Sequence, residues 1–233
     1  MLDISIKAFG IFIKLILIVI TPMLDILIKA FGESIYMVSF STLFSLILGF
    51  IVAILLILTA PDGLKPNKTI YSVLDAVINI LRSFPFIILI VSIAPLTKLI
   101  VGKSIGQTAA IVPLTIAAAP FVARVIESAL KEVDKGVVEA AKSFGASNTQ
   151  IIFRVMLKEA VPSIISGLTL TVISIIGYSA MAGTVGAGGL GDLAVRYGYQ
   201  RYQTDIMIVT VIILIIIVQV LQSLGNYFYK KLS

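Results

Sequence analysis

The sequence contains neither cysteine nor histidine. The first absence removes disulfide frameworks and thiol nucleophiles, and the second removes imidazole bases and the usual zinc ligands. Charge is scarce too, at 13% of residues, where an ordinary soluble domain carries about 25%. There is no G-x-x-x-x-G-K-[ST], so the chain does not hold ATP by a phosphate-binding loop. What fills the 233 residues instead is hydrophobic side chain, 59% of the total, with a mean hydropathy of +1.11. This is the composition of a protein whose solvent is a bilayer. The net charge of +6 fits basic loops flanking membrane spans, so no nucleic-acid partner is expected; without cysteine or histidine, no metal site is expected either.

A bilayer core takes about 20 apolar residues as a helix. Long stretches free of Asp, Glu, Lys and Arg run from Ser34 to Pro61, Ser104 to Ala123, Ala160 to Gly191 and Ile206 to Tyr229. A shorter one, Ser83 to Thr97, follows the helix-compatible "YSVLDAVINILRS", whose Arg82 can snorkel to the surface. The expected fold is therefore an all-α membrane protein with five core transmembrane helices. One alternation of loops puts Lys65, Lys68, Arg82, Arg124, Lys131, Lys135, Lys142, Arg154, Lys158, Lys230 and Lys231 on one side. Lys29, Lys98, Lys103, Arg196 and Arg201 are left on the other, so the first group is assigned to the cytoplasm. The core then starts outside and ends inside.

The beginning of the chain is duplicated. "MLDISIKAFG" at 1–10 returns as "MLDILIKAFG" at 23–32, identical at nine of ten positions. Residues 1–22 form a hydrophobic leader, and 23–233 the core domain. Twelve Ile, Leu, Val and Phe between Ile4 and Ile20 are balanced by the cost of Lys7 and Lys14. An extra N-terminal membrane helix, a surface helix and a plain upstream extension all remain open readings.

The stretch "GTVGAGGLGDLA" carries Gly186, Gly188 and Gly191 in the G-x-G-x-x-G spacing of a dinucleotide site. That spacing has meaning only after a buried strand and at the start of a helix. Here it follows "IISGLTLTVISIIGYSAMAGTV", which is too long for a strand and makes a membrane helix. Gly186, Gly188, Gly189, Gly191 and Asp192 are therefore expected in a tight external turn, where glycine supplies positive φ or close helix approach.

The longest charged segment lies at 124–160. Val133, Val137, Ala140, Ala141 and Phe144 recur at helical spacing, Gly145 ends that helix, and Ser147 with Gln150 signals a capping box opening a second helix. The second helix carries Ile151, Ile152, Val155 and Met156 up to Pro162. Two short helices, each with an apolar face, meet at a glycine elbow. A solvated connecting loop would carry the same charges, but a loop that only joined two spans would not need those faces, which points to a docking partner as the second reading.

"EAAKSFGAS" resembles the EAA motif of permease subunits of bacterial ABC importers. "LRSFPFIILIVSIAPLT", "AAIVPLTIAAAPFVARVIESAL" and "GYSAMAGTVGAGGLGDLAVRYGYQRY" are similar to the small permease of methionine importers, and the likeness runs over roughly residues 24–232. The resemblance implies a type I importer subunit of the bacterial inner membrane. It implies a homodimer standing on two separate ATP-binding subunits at the cytoplasmic face and fed by an external substrate-binding protein. No cofactor is expected on this chain, since ATP belongs to the partner. Carried over by position, Glu139, Ala140, Ala141 and Gly145 occupy the motif, with Phe144 beside them, as the ATPase-coupling residues. The motif's downstream Leu-Pro is here Leu157-Lys158, with the next proline at Pro162.

Ser174, Tyr178, Ser179 and Met181 on the fourth span, with Asn79 near the second, are the polar or polarizable candidates for a translocation pathway. Such groups also serve structure, hydroxyls by bonding back to their own helix and methionine by filling space. Asp192 and "RYGYQRY" suit a docking face or gate for the binding protein, and equally an interfacial aromatic belt. Two other activities share parts of this pattern. One is the same architecture importing another amino acid or small metabolite; the other, an autonomous secondary carrier, lacks the charged mid-span residues it would use.

Overall fold

The computed structural model describes the backbone of residues 2–232, with side chains from Met23 onward. The leader at 1–22 therefore lies outside the residues described at side-chain level. The elements are α1 (Leu2–Thr59), α2 (Lys68–Ser83), α3 (Phe86–Ser92), α4 (Ala94–Val101), α5 (Gln107–Lys131), α6 (Lys135–Ser143), α7 (Asn148–Gly183), α8 (Gly189–Leu193) and α9 (Thr204–Leu232). Among the described residues, four helices are long and apolar enough to cross a membrane, and a fifth crossing results if α2 and α3, bent by 103°, are one span.

The most buried helix is α5, and α1 packs along it through a seam of small residues. Ser41, Ser45 and Ala53 are wholly buried, and a Cβ on Gly49 would sit 2.7 Å from the Ala119 carbonyl oxygen. Between membrane helices there is no hydrophobic drive, so close backbone approach through small side chains supplies the packing. The same device recurs where Gly167 meets Val125 and where Gly225 meets Thr169. Outward, α1 and α9 present large apolar side chains such as Ile28, Ile47, Ile51, Ile212, Ile215 and Ile216, as a lipid-facing surface must.

The span boundaries differ from the sequence expectation at four places, each for a physical reason. The helix of the first span does not begin at Ser34 but is already continuous ahead of it, and Glu33 is carried within it because its carboxylate accepts a backbone N–H of another segment. The third continues past Ala123 to Lys131, because Arg124, Glu127 and Lys131 pair with one another and with Asp75. The 83–97 stretch is not one helix. Phe84, held extended at ψ 123° ahead of Pro85, ends α2, and α3 restarts at Phe86, as the steric demand of proline on its predecessor requires. The fourth span ends at Gly183, not Gly191, and the chain turns back there.

Pro162 does not end the second elbow helix. The segment Asn148–Gly183 is continuous for 36 residues with Pro162 inside it. A π-helical stretch at Ile151–Met156 lies just before the proline.

Candidate functional site

The elbow is built from three local devices. Asp134 caps α6, its Oδ1 accepting the N–H groups of Gly136 (2.7 Å) and Val137 (3.3 Å). At the other end Gly145 adopts φ +76°, the Gly145 N–H donates to Lys142 O (2.9 Å), and the Ala146 N–H donates to Ala141 O (3.1 Å). Those two bonds satisfy the last carbonyls of α6 and turn the chain. Nothing lies within 4 Å of a Cβ placed on Gly145, so glycine is there for its left-handed backbone and not for space. Ser147 then opens α7 through a reciprocal capping box, accepting from Gln150 N at 3.3 Å while the Ser147 N–H donates to Gln150 Oε1 at 2.8 Å.

The expected single apolar face at Val133, Val137, Ala140, Ala141 and Phe144 is divided in two. Val133 is buried ahead of α6, and Val138, Ala141 and Ala146 pack against Leu130, Ile151, Ile152 and Met156. Val137, Ala140 and Phe144 point the other way and are exposed. Phe144 is 91% exposed. Hiding a phenylalanine from water is worth about 1.5–3 kcal/mol, and an elbow that fixes one so fully in the open has built a surface for something else to cover. Glu139 is exposed beside it and makes no ion pair among the described residues. With Lys135, Lys142 and Asp62 it rims a cavity of about 250 Å³ between α6 and the α1–α2 loop.

Along α7, Ser166, Leu170, Ser174, Gly177, Met181 and Thr184 are all exposed and fall on one stripe at helical spacing. Most of these side chains are small or polar, unlike the bulky outward faces of α1 and α9. Ser174 and Met181 thus share the stripe, although the Ser174 hydroxyl donates to Leu170 O at 3.0 Å. Ser179 is turned away from it: the residue is buried, and its hydroxyl donates to Ile176 O at 2.8 Å. Tyr178 is half-buried and stacks on Phe86 at 4.9 Å. The structure therefore separates Tyr178 and Ser179 from Ser174 and Met181, which the sequence grouped together. Asn79 belongs to the far side of the bundle, its amide donating to Asp75 at 3.0 Å.

At the other end of α7 the glycines form a reversal. Gly186, Gly188 and Gly189 have φ of +87°, +86° and +82°. Gly183 and Gly191 are needed for space, since a Cβ on Gly183 would lie 2.2 Å from Asp192 N and one on Gly191 would lie 2.1 Å from Ala180 O. No strand precedes this turn among the described residues, so the dinucleotide fingerprint is a helical hairpin. The first span clasps it. Glu33 Oε2 accepts the Gly189 N–H and Ser34 Oγ accepts the Leu190 N–H, both at 2.8 Å. Asp192 pairs with Arg196, and Arg201 lies over the Tyr197 ring at 4.5 Å. The Glu33–Ser34 clasp was missed by sequence reasoning; an acidic residue beside a long apolar run is the signal that points to it.

A model of the binding-protein-dependent transport system inner membrane component matches residues 45–233. The chain belongs to that family. Among relatives of this inner membrane component, the probable D-methionine transport system permease protein MetI of Vibrio cholerae is 51% identical over 86% of this chain and 89% of its own length. The methionine import system permease protein MetP of Bacillus subtilis is 48% identical over 74% of this chain and 78% of its own. Among solved structures, an inward-facing MetNI methionine ABC transporter matches with a TM-score of 0.89 at 42% identity, covering 91% of this chain and 98% of that one. The all-helical bundle of a type I importer permease, placed in the inner membrane, is thus what this sequence encodes, and its role is transport rather than catalysis.

Proposed function

We propose that this inner membrane component forms the methionine pathway of an ABC importer, working as two copies above two ATPase subunits and receiving substrate from an external binding protein. The observation that carries the reading is the elbow, which holds Val137, Ala140 and Phe144 in the open beside Glu139, which has no ion pair among the described residues. In this arrangement the elbow lies in the cytoplasm, where the ATPase covers Phe144 and offers a basic group to Glu139. The core therefore begins outside the cell and ends within it.

The elbow does not stop at Pro162 but runs into α7 without a break, so a push at Asn148 acts on one end of a rod. At about 1.5 Å per residue, its 36 residues span about 54 Å and end at the glycine hairpin. Closure of the ATPase dimer would draw two such rods together and rock the spans between inward- and outward-open states. The small, polar stripe of α7 is the surface on which two copies would enclose the pathway, with Ser174 and Met181 facing it. Tyr178 and Ser179, packed within one copy, support that wall from behind.

Reconstituted with its ATPase and binding protein, the complex is expected to hydrolyse ATP faster and accumulate methionine when the binding protein is methionine-loaded. Phe144→Ala should weaken ATPase association about 30-fold, as truncation of an interfacial anchor does, and abolish uptake. Wild-type affinity in that variant would remove the elbow from the mechanism, and stimulation only by other loaded amino acids would remove methionine.

A further inference from the structure

One further groove lies neither at the elbow nor along the α7 stripe. It is an open groove of about 550 Å³ between α1, α5 and α7 in the half of the bundle nearest the elbow. Nine of its ten lining residues are apolar, among them Phe50, Ile51, Val161, Ile164 and Leu168; the tenth is Lys158. A groove without polar partners does not hold ordered water, and in a membrane segment it takes hydrocarbon. Its elbow end is closed by Phe50 against Phe153, ring centroids 6.2 Å apart. Lys158 lines the groove, Arg154 stands four residues before it on α7, both are exposed, and neither makes an ion pair among the described residues. Glu159 lies about 100° further round the helix, off the line joining those two cations. An apolar trough ending in two unpaired cations at a membrane boundary has the form of an acyl chain joined to an anionic headgroup.

We propose that this groove is a binding site for an anionic phospholipid, the acyl chain lying along Ile51, Ile164 and Leu168 and the phosphate held by Lys158 and Arg154. The lipid would brace α7 where the π-helical stretch and Pro162 weaken its backbone ladder, and so stiffen the rod that leaves the elbow. The site is independent of what the transporter carries.

The test is native mass spectrometry of the purified complex after reconstitution in phosphatidylcholine vesicles containing phosphatidylglycerol. The intact complex should retain phosphatidylglycerol. Lys158→Gln and Arg154→Gln should each lower the retained amount about fivefold, the effect of one basic residue near an anionic lipid surface. Lys65→Gln, an equal loss of charge on the same side, should leave retention unchanged. Ile164→Trp, which fills the groove and keeps both cations, should lower it as well. Equal losses for Lys65→Gln and Lys158→Gln would reduce the effect to general attraction and overturn the site. So would displacement of the lipid by inorganic phosphate, wild-type retention in Ile164→Trp, or a disulfide joining two copies through Val161→Cys, which would put protein where the lipid is placed.

Discussion

Replacing Glu127 with alanine is expected to cost about 2–3 kcal/mol, the loss of charge-assisted hydrogen bonds made to a buried carboxylate. The Glu127 side chain is 1% exposed and lies 2.7 Å from both Arg124 Nη1 and Lys131 Nζ, while the Tyr71 hydroxyl donates to it at 3.1 Å. Arg124 also pairs with Asp75 on α2. Removing the central carboxylate leaves Lys131 without its ion pair and Arg124 with Asp75 alone, and it takes from α2 the bond made by Tyr71. Since a whole domain holds only about 5–15 kcal/mol of net stability, the variant should be recovered in low yield and melt well below wild type. Asp62→Ala provides the comparison. Asp62 and Lys135 are 60% and 81% exposed and 3.8 Å apart, and such a pair is worth at most about 1 kcal/mol. Thermal unfolding of the purified variants decides: equal midpoints for Glu127→Ala and Asp62→Ala would show that the cluster does not hold α2 to α5.

Gly191→Val is expected to destroy the glycine hairpin. Its Cβ would fall 2.1 Å from Ala180 O, 2.4 Å from Ala180 Cα and 2.6 Å from Ala180 C. These are backbone atoms of a helix that cannot swing aside as a flexible side chain can. Overpacking of this kind costs about 1–3 kcal/mol and sometimes more. Here the displaced α8 would also lose the bonds from Gly189 to Glu33 and from Leu190 to Ser34. Gly32→Ala is the contrasting change: the position is helical, exposed and empty within 4 Å, so alanine should be neutral or stabilising by up to about 1 kcal/mol. Uptake and protease resistance should collapse in the first variant and persist in the second. Persistence in both would mean that α8 does not pack on α7 as described.

The contrast between these two glycines shows what a sequence conveys and what it withholds. Spacing alone disclosed glycines at a helix end, but it did not distinguish Gly186, there for its backbone angle, from Gly191, there because nothing larger fits. Hydropathy found the four helices that, among the described residues, are long and apolar enough to cross a membrane, because apolar length is a local property. It misplaced their ends wherever a charge was satisfied from elsewhere in the chain, as Glu33 is by a residue 156 positions away and Arg124 by Asp75. The elbow was legible down to its capping box, because caps are made by residues three apart. Its orientation was not: Val137 and Val138 are adjacent and alike, and only the surrounding bundle determines which one is covered. Pro162 was read as a stop although its ring removes a single donor, a loss that a membrane helix tolerates when its neighbours satisfy the freed group.

The central claim is that the elbow is a cytoplasmic handle gripped by a separate ATPase. Because the chain has no cysteine, Phe144→Cys creates a single thiol at the tip of that handle. The account predicts no labelling by a membrane-impermeant thiol reagent in intact cells, rapid labelling in inverted vesicles stripped of ATPase, and protection when the ATPase is added back. Labelling from outside intact cells, or no protection by the ATPase, would contradict it.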